Sequence, residues 1–478
     1  MKKVSLILSA LALCSILDAQ DLKRSVTWEN ICNNPAPLPV IGRVEPARSS
    51  LDRPSYWSVG CETLDRDYGI FENFKQFIGE TGVGYARLQS GWARCEKKKA
   101  KYDFAWLDRQ VDELLAQGVH PWICLCYGNP IYSNHGHDLD AKLFPDGPIM
   151  DAWLKYVRAV VTRYKGKVTM FEVWNEPDGN ANLDSYNLYA NLFTRTGKLI
   201  RGIDPDVKIA AFGSCAPDRK YIRQALAEIK RLGGIDCIDY VTYHAYWPNP
   251  DYVTPAALEL KRDVAAYSDR IALLQGETGC PAQLEYGHAL REREWNEYSQ
   301  VKWDLRQMMS QFSIGVPSSV FTMVDLNYGW MIQSFGLVRT NLKCEPVYKR
   351  PKFYGVQNVT SVITTEFTPD TTLRVESACG RRIRAVGLKK NDVVVGYALW
   401  FSDRIPEGNL DRTPVDLNVY GATLKNPVYV DLVSGNVHSL EPLIYQMVLS
   451  DGICRWSRLP LWDAPVLVIE KDCINIQK

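Results

Sequence analysis

The chain has 478 residues, of which 46% are hydrophobic and 23% charged, a composition typical of a folded soluble protein. This length exceeds the size at which one hydrophobic core stops growing, so we expect one large domain and a smaller one. The formal net charge is only +1, which argues against a nucleic-acid-binding protein and against a polybasic membrane-binding surface.

The first residues, MKKVSLILSALALCSILDAQ, combine two lysines, an apolar run and a small residue at Ala19. This order is typical of a secretory signal peptide over residues 1–19, so we expect a periplasmic or extracellular protein. An amphipathic first helix is the alternative. Lipidation of Cys14 is not expected, because Leu13 stands where a lipoprotein signal needs a small residue. No other apolar run reaches the roughly 18 residues that cross a bilayer.

Strand-like and helix-like segments then alternate over residues 49–363. After the second strand, for example, Phe104, Leu107 and Val111 recur at helical spacing. Repeated strand–helix units require parallel strands, and eight of them predict a closed (β/α)8 TIM barrel. A doubly wound open sheet is the alternative, but no glycine-rich phosphate loop follows the first strand. The predicted strands are 56–60, 85–89, 120–128, 168–175, 208–214, 239–247, 270–277 and 318–326.

The pattern changes near the end of the barrel region. Residues 364–478 contain short strands such as VVVGYALWFS and APVLVIEK, bounded by Gly, Asp, Asn and Pro turns. They predict a C-terminal β-sandwich. The proline-rich residues 20–48 are expected to pack against this β domain.

Thirteen cysteines occur without the spacing of a disulfide framework. Cys124 and Cys126 alternate on one predicted strand and are too close in sequence for a typical zinc knuckle, so we expect buried free thiols there. One or two disulfides elsewhere stay open. We predict no metal and no other cofactor.

Polar residues stand at the ends of two predicted barrel strands. The fourth strand ends in Asn175 and Glu176, and the seventh, LLQGETG, carries Glu277. The carboxyl ends of parallel strands carry the active site of a barrel, so the two glutamates are expected to face each other across its mouth. A pair of carboxylates in that position suits glycoside hydrolysis, in which one donates a proton and the other attacks or activates water.

These segments resemble a known family. WNEP after strand four, with a glutamate ending strand seven, resembles the retaining glycoside hydrolases of clan A. YARLQSGW, YDFAWLDRQVDELLAQG, VTYHAYW and the terminal β-sandwich resemble glycoside hydrolase family 39, the β-xylosidase and α-L-iduronidase family. The resemblance implies a cofactor-independent enzyme that cleaves O-glycosidic bonds in plant or host oligosaccharides and polysaccharides by a two-glutamate double displacement.

The resemblance also implies roles for single residues. Glu176 matches the acid/base and Glu277 the nucleophile, while Asn175 matches the residue that binds the sugar 2-hydroxyl. Arg87 is expected to keep Glu277 ionised, and burial to keep Glu176 protonated. Two strand-six residues complete the implied site: Tyr246, which matches the partner of the nucleophile, and His244.

Other expectations rest on position alone. Glu172 lies inside strand four, where an inward carboxylate would need a partner, and we assign it no catalytic role. Five residues just past strand ends are candidate substrate contacts, with core or loop packing an equally open alternative for each. They are Trp92, Tyr127, Asn129, Trp247 and Trp330.

The sequence departs from the clan pattern at one position that bears on the identity of the bound sugar. Many clan members carry a tryptophan at the end of strand eight, whereas FTMVDLNYGW places Asp325 near the predicted strand end and aromatic residues only at Tyr328 and Trp330. The reaction type is therefore better indicated than the sugar.

Two alternatives stay open. One is a non-catalytic carbohydrate-binding barrel protein, which would not need paired glutamates. The other is an endo-acting glycanase or transglycosylase of the same clan, which would share the same residues. The expected partner is an oligosaccharide or polysaccharide and not a nucleic acid. The sequence leaves the oligomeric state, the linkage and endo or exo action open.

Overall fold

Eight parallel strands close into a barrel in a computed structural model that describes residues 22–132, 147–179, 185–444 and 452–478. Each strand pairs with the next along the chain, and the eighth pairs with the first and seventh. The predicted TIM barrel is confirmed. The strands are β1 (Trp57–Gly60), β2 (Tyr85–Gln89), β3 (His120–Leu125), β4 (Met170–Val173), β5 (Lys208–Ser214), β6 (Tyr240–Tyr243), β7 (Ala272–Thr278) and β8 (Ser318–Val320).

Helices surround the barrel, and we number each after the strand it follows. Their apolar stripes face the strands, as in α2, where Leu107, Val111 and Leu114 are buried. The helices are α1 (Phe71–Phe74), α2 (Ala105–Ala116), α3 (Gly147–Tyr164), α4 (Ser185–Ile203), α5 (Arg219–Arg231), α6 (Val253–Ala265), α7 (Glu297–Phe312) and α8 (Pro351–Val362). Short helices also span Val26–Asn33, Trp92–Cys95 and Glu441–Ile444.

The helix predicted after β1 is broken into α1 and two single turns, Lys75–Phe77 and Gly79–Thr81. The second of these turns lies close to the end of α2. The Gly79 N–H donates to Gln117 Oε1 at 3.1 Å, and a Cβ at Gly79 would lie 2.9 Å from the Gln117 carbonyl oxygen.

Strand eight is shorter than the predicted 318–326. After β8 the chain leaves the barrel and forms one antiparallel pair from Leu326–Asn327 and Ile332–Gln333, before α8 begins. Asp325 is buried here, accepts the Gly336 N–H at 3.0 Å, and binds Arg350 at 2.5 and 2.9 Å. Asp325 is therefore a structural ion-pair residue of this excursion. A second pair, Val338–Thr340 with Pro346–Lys349, is extended by Lys23–Arg24.

Antiparallel strands follow the barrel and form the β-sandwich. The larger sheet has the order Thr368–Asp370, Ile383–Lys390, Val393–Phe401, Val466–Glu470, Pro427–Asp431, Asn436–Ser439, Val40–Val44, Ile476–Gln477. The smaller sheet contains Arg374–Ser377, Thr413–Tyr420 and Ile453–Leu461. The N-terminal strand Val40–Val44 thus lies between strands from the other end of the chain.

A buried network joins the sandwich to the barrel. Asp251, between β6 and α6, accepts hydrogen bonds from Arg306 Nε of α7 at 2.8 Å and from Trp400 Nε1 of the larger sheet at 3.0 Å. The contact fixes the sheet against the outside of the barrel.

The described residues include twelve cysteines, all free thiols, of which Cys124 and Cys126 are fully buried. No helix in the described ranges is both long and apolar enough to span a bilayer. The predicted signal peptide, residues 1–19, and Cys14 lie outside the described residues.

Candidate active site

A cavity of about 720 Å³ opens at the carboxyl ends of the barrel strands. Residues that follow or end several different strands line it, as expected for the functional face of a barrel. Seven of the predicted site residues are among them: Tyr127, Asn175, Glu176, Tyr246, Trp247, Glu277 and Trp330.

The two predicted catalytic glutamates meet in this cavity. Glu176 follows β4, Glu277 is the penultimate residue of β7, and their side chains are 36% and 13% exposed. One carboxylate oxygen of each, together with one ring nitrogen of His244, forms a group whose members all lie within 4.8 Å of one another. Both carboxylates therefore reach a ligand bound between them.

Arg87 of β2 organises the floor of the site. Its fully buried guanidinium donates to Glu277 Oε2 at 2.7 Å, to Glu172 Oε2 at 2.5 Å and to Asn175 Oδ1 at 2.8 Å. The other Glu172 oxygen accepts the Thr242 hydroxyl at 2.5 Å. Glu172 is thus the buried partner that balances the charge of Arg87, and the inward carboxylate has the partner it requires.

Glu277 is held at both oxygens. Arg87 occupies Oε2, and the Tyr246 hydroxyl donates to Oε1 at 2.6 Å. These two donors fix the carboxylate in orientation.

The environment of Glu176 differs from the one expected. Burial alone would raise its pKa, but a hydrogen bond between His244 Nδ1 and Glu176 Oε1, 2.8 Å long, and the charges of His244 and Arg87 outweigh burial and lower the pKa. The expectation that burial keeps Glu176 protonated is therefore wrong for the unliganded protein. For His244 burial acts in the opposite direction, since it disfavours the charged imidazolium and lowers the pKa. The neighbouring Glu277 and Glu176 outweigh burial and raise the pKa of His244 above its ordinary value of 6.5.

Asn175 has a fixed amide orientation. Its oxygen accepts from Arg87, and its nitrogen donates to the Tyr127 hydroxyl at 2.8 Å. The Arg66 guanidinium lies 4.8 Å from the centre of the Tyr127 ring. Tyr127 is therefore a support for Asn175 as well as part of the cavity wall.

Two predicted substrate contacts do not reach the cavity. Trp92 is fully buried, stacks on Tyr132 and Tyr156, and donates to Glu96 at 2.6 Å. Asn129 is buried and donates to the Glu96 carbonyl at 2.8 Å. Both predictions are corrected: these side chains turn back into the packing behind the strand ends.

Glu62 and Phe321 are among the cavity residues that the sequence reasoning missed. Glu62 follows β1 as Glu176 follows β4. The rule that located Glu176, a carboxylate just past a strand end, could therefore also have located Glu62. Phe321 follows β8 directly and packs edge-on against Tyr246, with ring centres 6.3 Å apart. It was overlooked because strand eight was predicted to continue to residue 326.

Glu62 is nearly fully buried near Glu277. Its Oε1 lies 3.4 Å from Arg87 Nη1. Burial raises the pKa of Glu62 to about 8, against the opposing effect of Arg87 and with a further increase from the charge of Glu277. The raised pKa favours the neutral form of Glu62.

Among the described residues, one group has possible ligand atoms close enough together to hold a metal ion. It consists of Glu176, His244 and Glu277. Both oxygens of Glu277 are already occupied by Tyr246 and Arg87, and His244 Nδ1 is engaged with Glu176. The arrangement suits acid–base and nucleophilic chemistry directly.

Comparisons with known proteins agree with this geometry. The family Glycosyl hydrolases family 39 matches residues 86–275. A β-xylosidase of Geobacillus stearothermophilus is 26% identical over 31% of this chain, and the match spans 31% of that protein's own length.

Two solved structures share the fold. A family 39 glycoside hydrolase from the gut symbiont Bacteroides cellulosilyticus WH2 has a TM-score of 0.62 at 17% identity, over 88% of this chain and 82% of that one. A family 30 subfamily 8 xylanase from Clostridium acetobutylicum has a TM-score of 0.56 at 13% identity, over 90% of this chain and 98% of that one.

The family match covers strands β2 to β6 and most of β7, and the structure adds the barrel, the appended sandwich and the facing glutamates. The chain is thus similar to glycoside hydrolases of family 39 over residues 86–275 and shares the fold of a solved member of that family.

Proposed function

We propose that the protein is an exported, retaining glycoside hydrolase that cleaves O-glycosidic bonds in plant or host oligosaccharides or polysaccharides. The spacing of the two glutamates carries the proposal. Retaining enzymes place their carboxyl groups about 5–5.5 Å apart, and inverting enzymes about 6.5–9.5 Å apart. One oxygen of Glu176 lies within 4.8 Å of one oxygen of Glu277, which supports a retaining site.

In the first step, a Glu277 oxygen attacks the anomeric carbon while the bond to the glycosidic oxygen breaks. Arg87 and Tyr246 hold this carboxylate in position through their hydrogen bonds. The leaving oxygen takes a proton from Glu176, which yields a glycosyl ester on Glu277 and a carboxylate at Glu176.

In our proposal, Glu176 and His244 share the proton that the leaving oxygen takes in this first step. In the unliganded protein His244 favours its charged form and Glu176 its ionised form. A sugar that fills the cavity excludes water, and this desolvation raises the pKa of Glu176 from its lowered value. The proton then passes from His244 Nδ1 to Glu176 Oε1 across their 2.8 Å contact.

In the second step, water attacks the anomeric carbon and gives its proton to Glu176. The ester bond breaks, and Glu277 leaves as a carboxylate with the anomeric configuration retained. Asn175, held by Arg87 and Tyr127, is placed to bind the sugar 2-hydroxyl in both steps.

Xylose-containing glycans are the first substrates to test, because a β-xylosidase and a xylanase are among the similar proteins. Export rests on the pattern of the first 19 residues alone. Hydrolysis itself needs no group beyond the side chains described above.

A panel of aryl glycosides tests the proposal, with wild type beside Glu277→Gln. The panel contains the xyloside, galactoside, arabinopyranoside, arabinofuranoside, glucoside, mannoside and iduronide. We expect hydrolysis of one sugar and its loss in the variant, which removes the nucleophile but keeps the size of the side chain. Full activity of the variant would overturn the role of Glu277. Inactivity of wild type on the panel and on oligosaccharide digests would favour a carbohydrate-binding barrel.

A further inference from the structure

An exposed tryptophan stands at the mouth of the cavity. Trp330 is 68% exposed, yet it lines the same cavity as Glu277. Large aromatic side chains are normally buried, so an indole presented to solvent at the rim of a functional cavity marks a binding surface. We infer that Trp330 is the platform of a second sugar subsite, on which the sugar next to the catalytic subsite stacks.

The platform is built by two segments that meet. The Trp330 ring stacks on His288, with ring centres 5.6 Å apart and planes 25° apart. His288 lies against Tyr328 at 4.4 Å, and Tyr328 against Tyr68 at 4.5 Å. This run of four rings begins at the segment after β1 and ends at the exposed indole, so the indole is backed by packed rings and not merely tethered to a loop.

The backbone keeps both segments close. The Tyr328 N–H donates to the Met331 carbonyl at 2.9 Å, which closes the turn that carries Trp330. On the other segment, a Cβ at Gly287 would lie only 2.6 Å from the Trp330 indole. A residue with a side chain at position 287 would therefore push the indole out of its place, and glycine is the residue that permits the contact.

The chemistry of the surface selects its occupant. A pyranose ring presents C–H groups on its face and hydroxyl groups at its edge, which matches an apolar indole beside the polar groups of a glycosidase cleft. The platform is continuous with the catalytic cavity, so the occupant is the next sugar of the same chain. This inference rests on the proposed function and adds that the substrate is an oligosaccharide of at least two sugars.

The test compares chain lengths. For a xylose-specific enzyme the substrates are 4-nitrophenyl β-D-xyloside, xylobiose, xylotriose and xylotetraose, and for another sugar the corresponding series. In Trp330→Ala we expect kcat/KM for the tetrasaccharide to fall about tenfold more than for the aryl glycoside, the scale of one good aromatic contact. Trp330→Phe keeps a flat ring and should recover part of the loss.

Tyr286→Ala is the matched control. Tyr286 is 76% exposed on the same segment as His288 but is not among the residues that line the cavity. It should behave as wild type on every substrate. Equal losses of Trp330→Ala on the aryl glycoside and the tetrasaccharide, or no loss on either, would overturn the platform.

A binding measurement separates this inference from the proposed function. Affinity electrophoresis in gels that contain xylan, arabinoxylan or mannan is run on Glu277→Gln with and without Trp330→Ala. Retardation that depends on Trp330, together with no hydrolysis by wild type, would support the platform and reject catalysis. Hydrolysis by wild type, together with binding that does not depend on Trp330, would support catalysis and reject the platform. No retardation by any glycan and no hydrolysis by wild type would reject both.

Discussion

Glu176 and His244 illustrate how a hydrogen bond can reverse the effect of burial. Sequence reasoning considered only the loss of water around Glu176 and expected a protonated acid. The structure adds a buried imidazole 2.8 Å away, which lowers the pKa of the carboxyl group while its own pKa rises. The two groups titrate as a pair. The alkaline limb of the pH profile of kcat/KM therefore reports the pair and not one residue.

His244→Asn should therefore move the alkaline limb of kcat/KM to lower pH. In wild type the raised pKa of His244 keeps a proton beside Glu176 up to a higher pH than an ordinary histidine would. The measurement is the pH profile for an aryl glycoside. His120→Asn, at the opposite end of β3, is the control and should leave the limb in place. An unmoved limb in His244→Asn would show that the imidazole does not hold the catalytic proton.

Replacement of the acid itself is expected to depend on the leaving group. Glu176→Ala should lose about 10²–10⁴-fold on substrates with poor leaving groups, the usual contribution of general acid catalysis, and much less on activated aryl glycosides. Azide should restore turnover by attacking the glycosyl ester in place of activated water. Steady-state kinetics over a series of phenol leaving groups make the comparison. Equal losses across the series would contradict the assignment.

Glu62 predicts a pH dependence of stability. Its pKa in the folded protein is about 8 against an ordinary value of 4.5, so the folded state binds more protons than the unfolded state between these values. The free energy of unfolding should therefore fall as pH rises through this window. Glu62→Gln removes the titration, and urea unfolding should show the variant gaining stability relative to wild type as pH rises. Parallel profiles for the two proteins would rule this out.

At the scale of elements, most strand ends could be located from the sequence because an apolar run stops where a polar residue begins. That signal located Asn175, Glu176 and Glu277. It failed at β8, where the apolar residues Met323, Val324 and Leu326 continue beyond the barrel and are buried in the excursion that follows. The ion pair of Asp325 with Arg350 that shapes this excursion joins distant positions and leaves no local pattern.

Because β8 is shorter than predicted, Phe321 lies at the cavity, a position that the sequence did not suggest. It lines the cavity beside Tyr246, and Lys352 of α8 holds its carbonyl oxygen at 2.8 Å. Phe321→Ala should lower kcat/KM about tenfold on all substrates, including aryl monoglycosides, as the loss of roughly 1.4 kcal/mol of binding would. This uniform loss differs from the length-dependent loss expected for Trp330→Ala. A variant with unchanged kinetics on the aryl glycoside would exclude Phe321 from the catalytic subsite.

At the scale of the whole molecule, contacts between distant parts of the chain could not be predicted. The pairing of Val40–Val44 with Asn436–Ser439 crosses almost the entire sequence, and nothing local in either segment names its partner. Trp92 and Asn129 were misplaced for the same reason, because their direction is set by packing against the loop between β2 and α2 and against α3. Residue pattern locates the elements, whereas tertiary contacts decide which way the side chains between them point.

The buried network at the barrel–sandwich interface should be a major source of stability. Asp251→Ala leaves the Arg306 guanidinium buried without its carboxylate, which should cost about 3–5 kcal/mol of unfolding free energy. Urea unfolding followed by tryptophan fluorescence measures the cost. Asp236→Ala, at an exposed position, is the control and should stay within about 0.5 kcal/mol of wild type. A similarly small change in Asp251→Ala would mean that the interface depends on other contacts.

The most direct test of the account is covalent trapping with a 2-fluoro glycoside that carries an activated leaving group and the sugar identified by the aryl panel. The account predicts that one glycosyl unit attaches to wild type, that peptide mass spectrometry finds it on Glu277, and that Glu277→Gln stays unlabelled. A label on any other residue would contradict the proposed nucleophile. Hydrolysis of the parent glycoside with inversion, and without a trapped intermediate, would contradict the retaining mechanism.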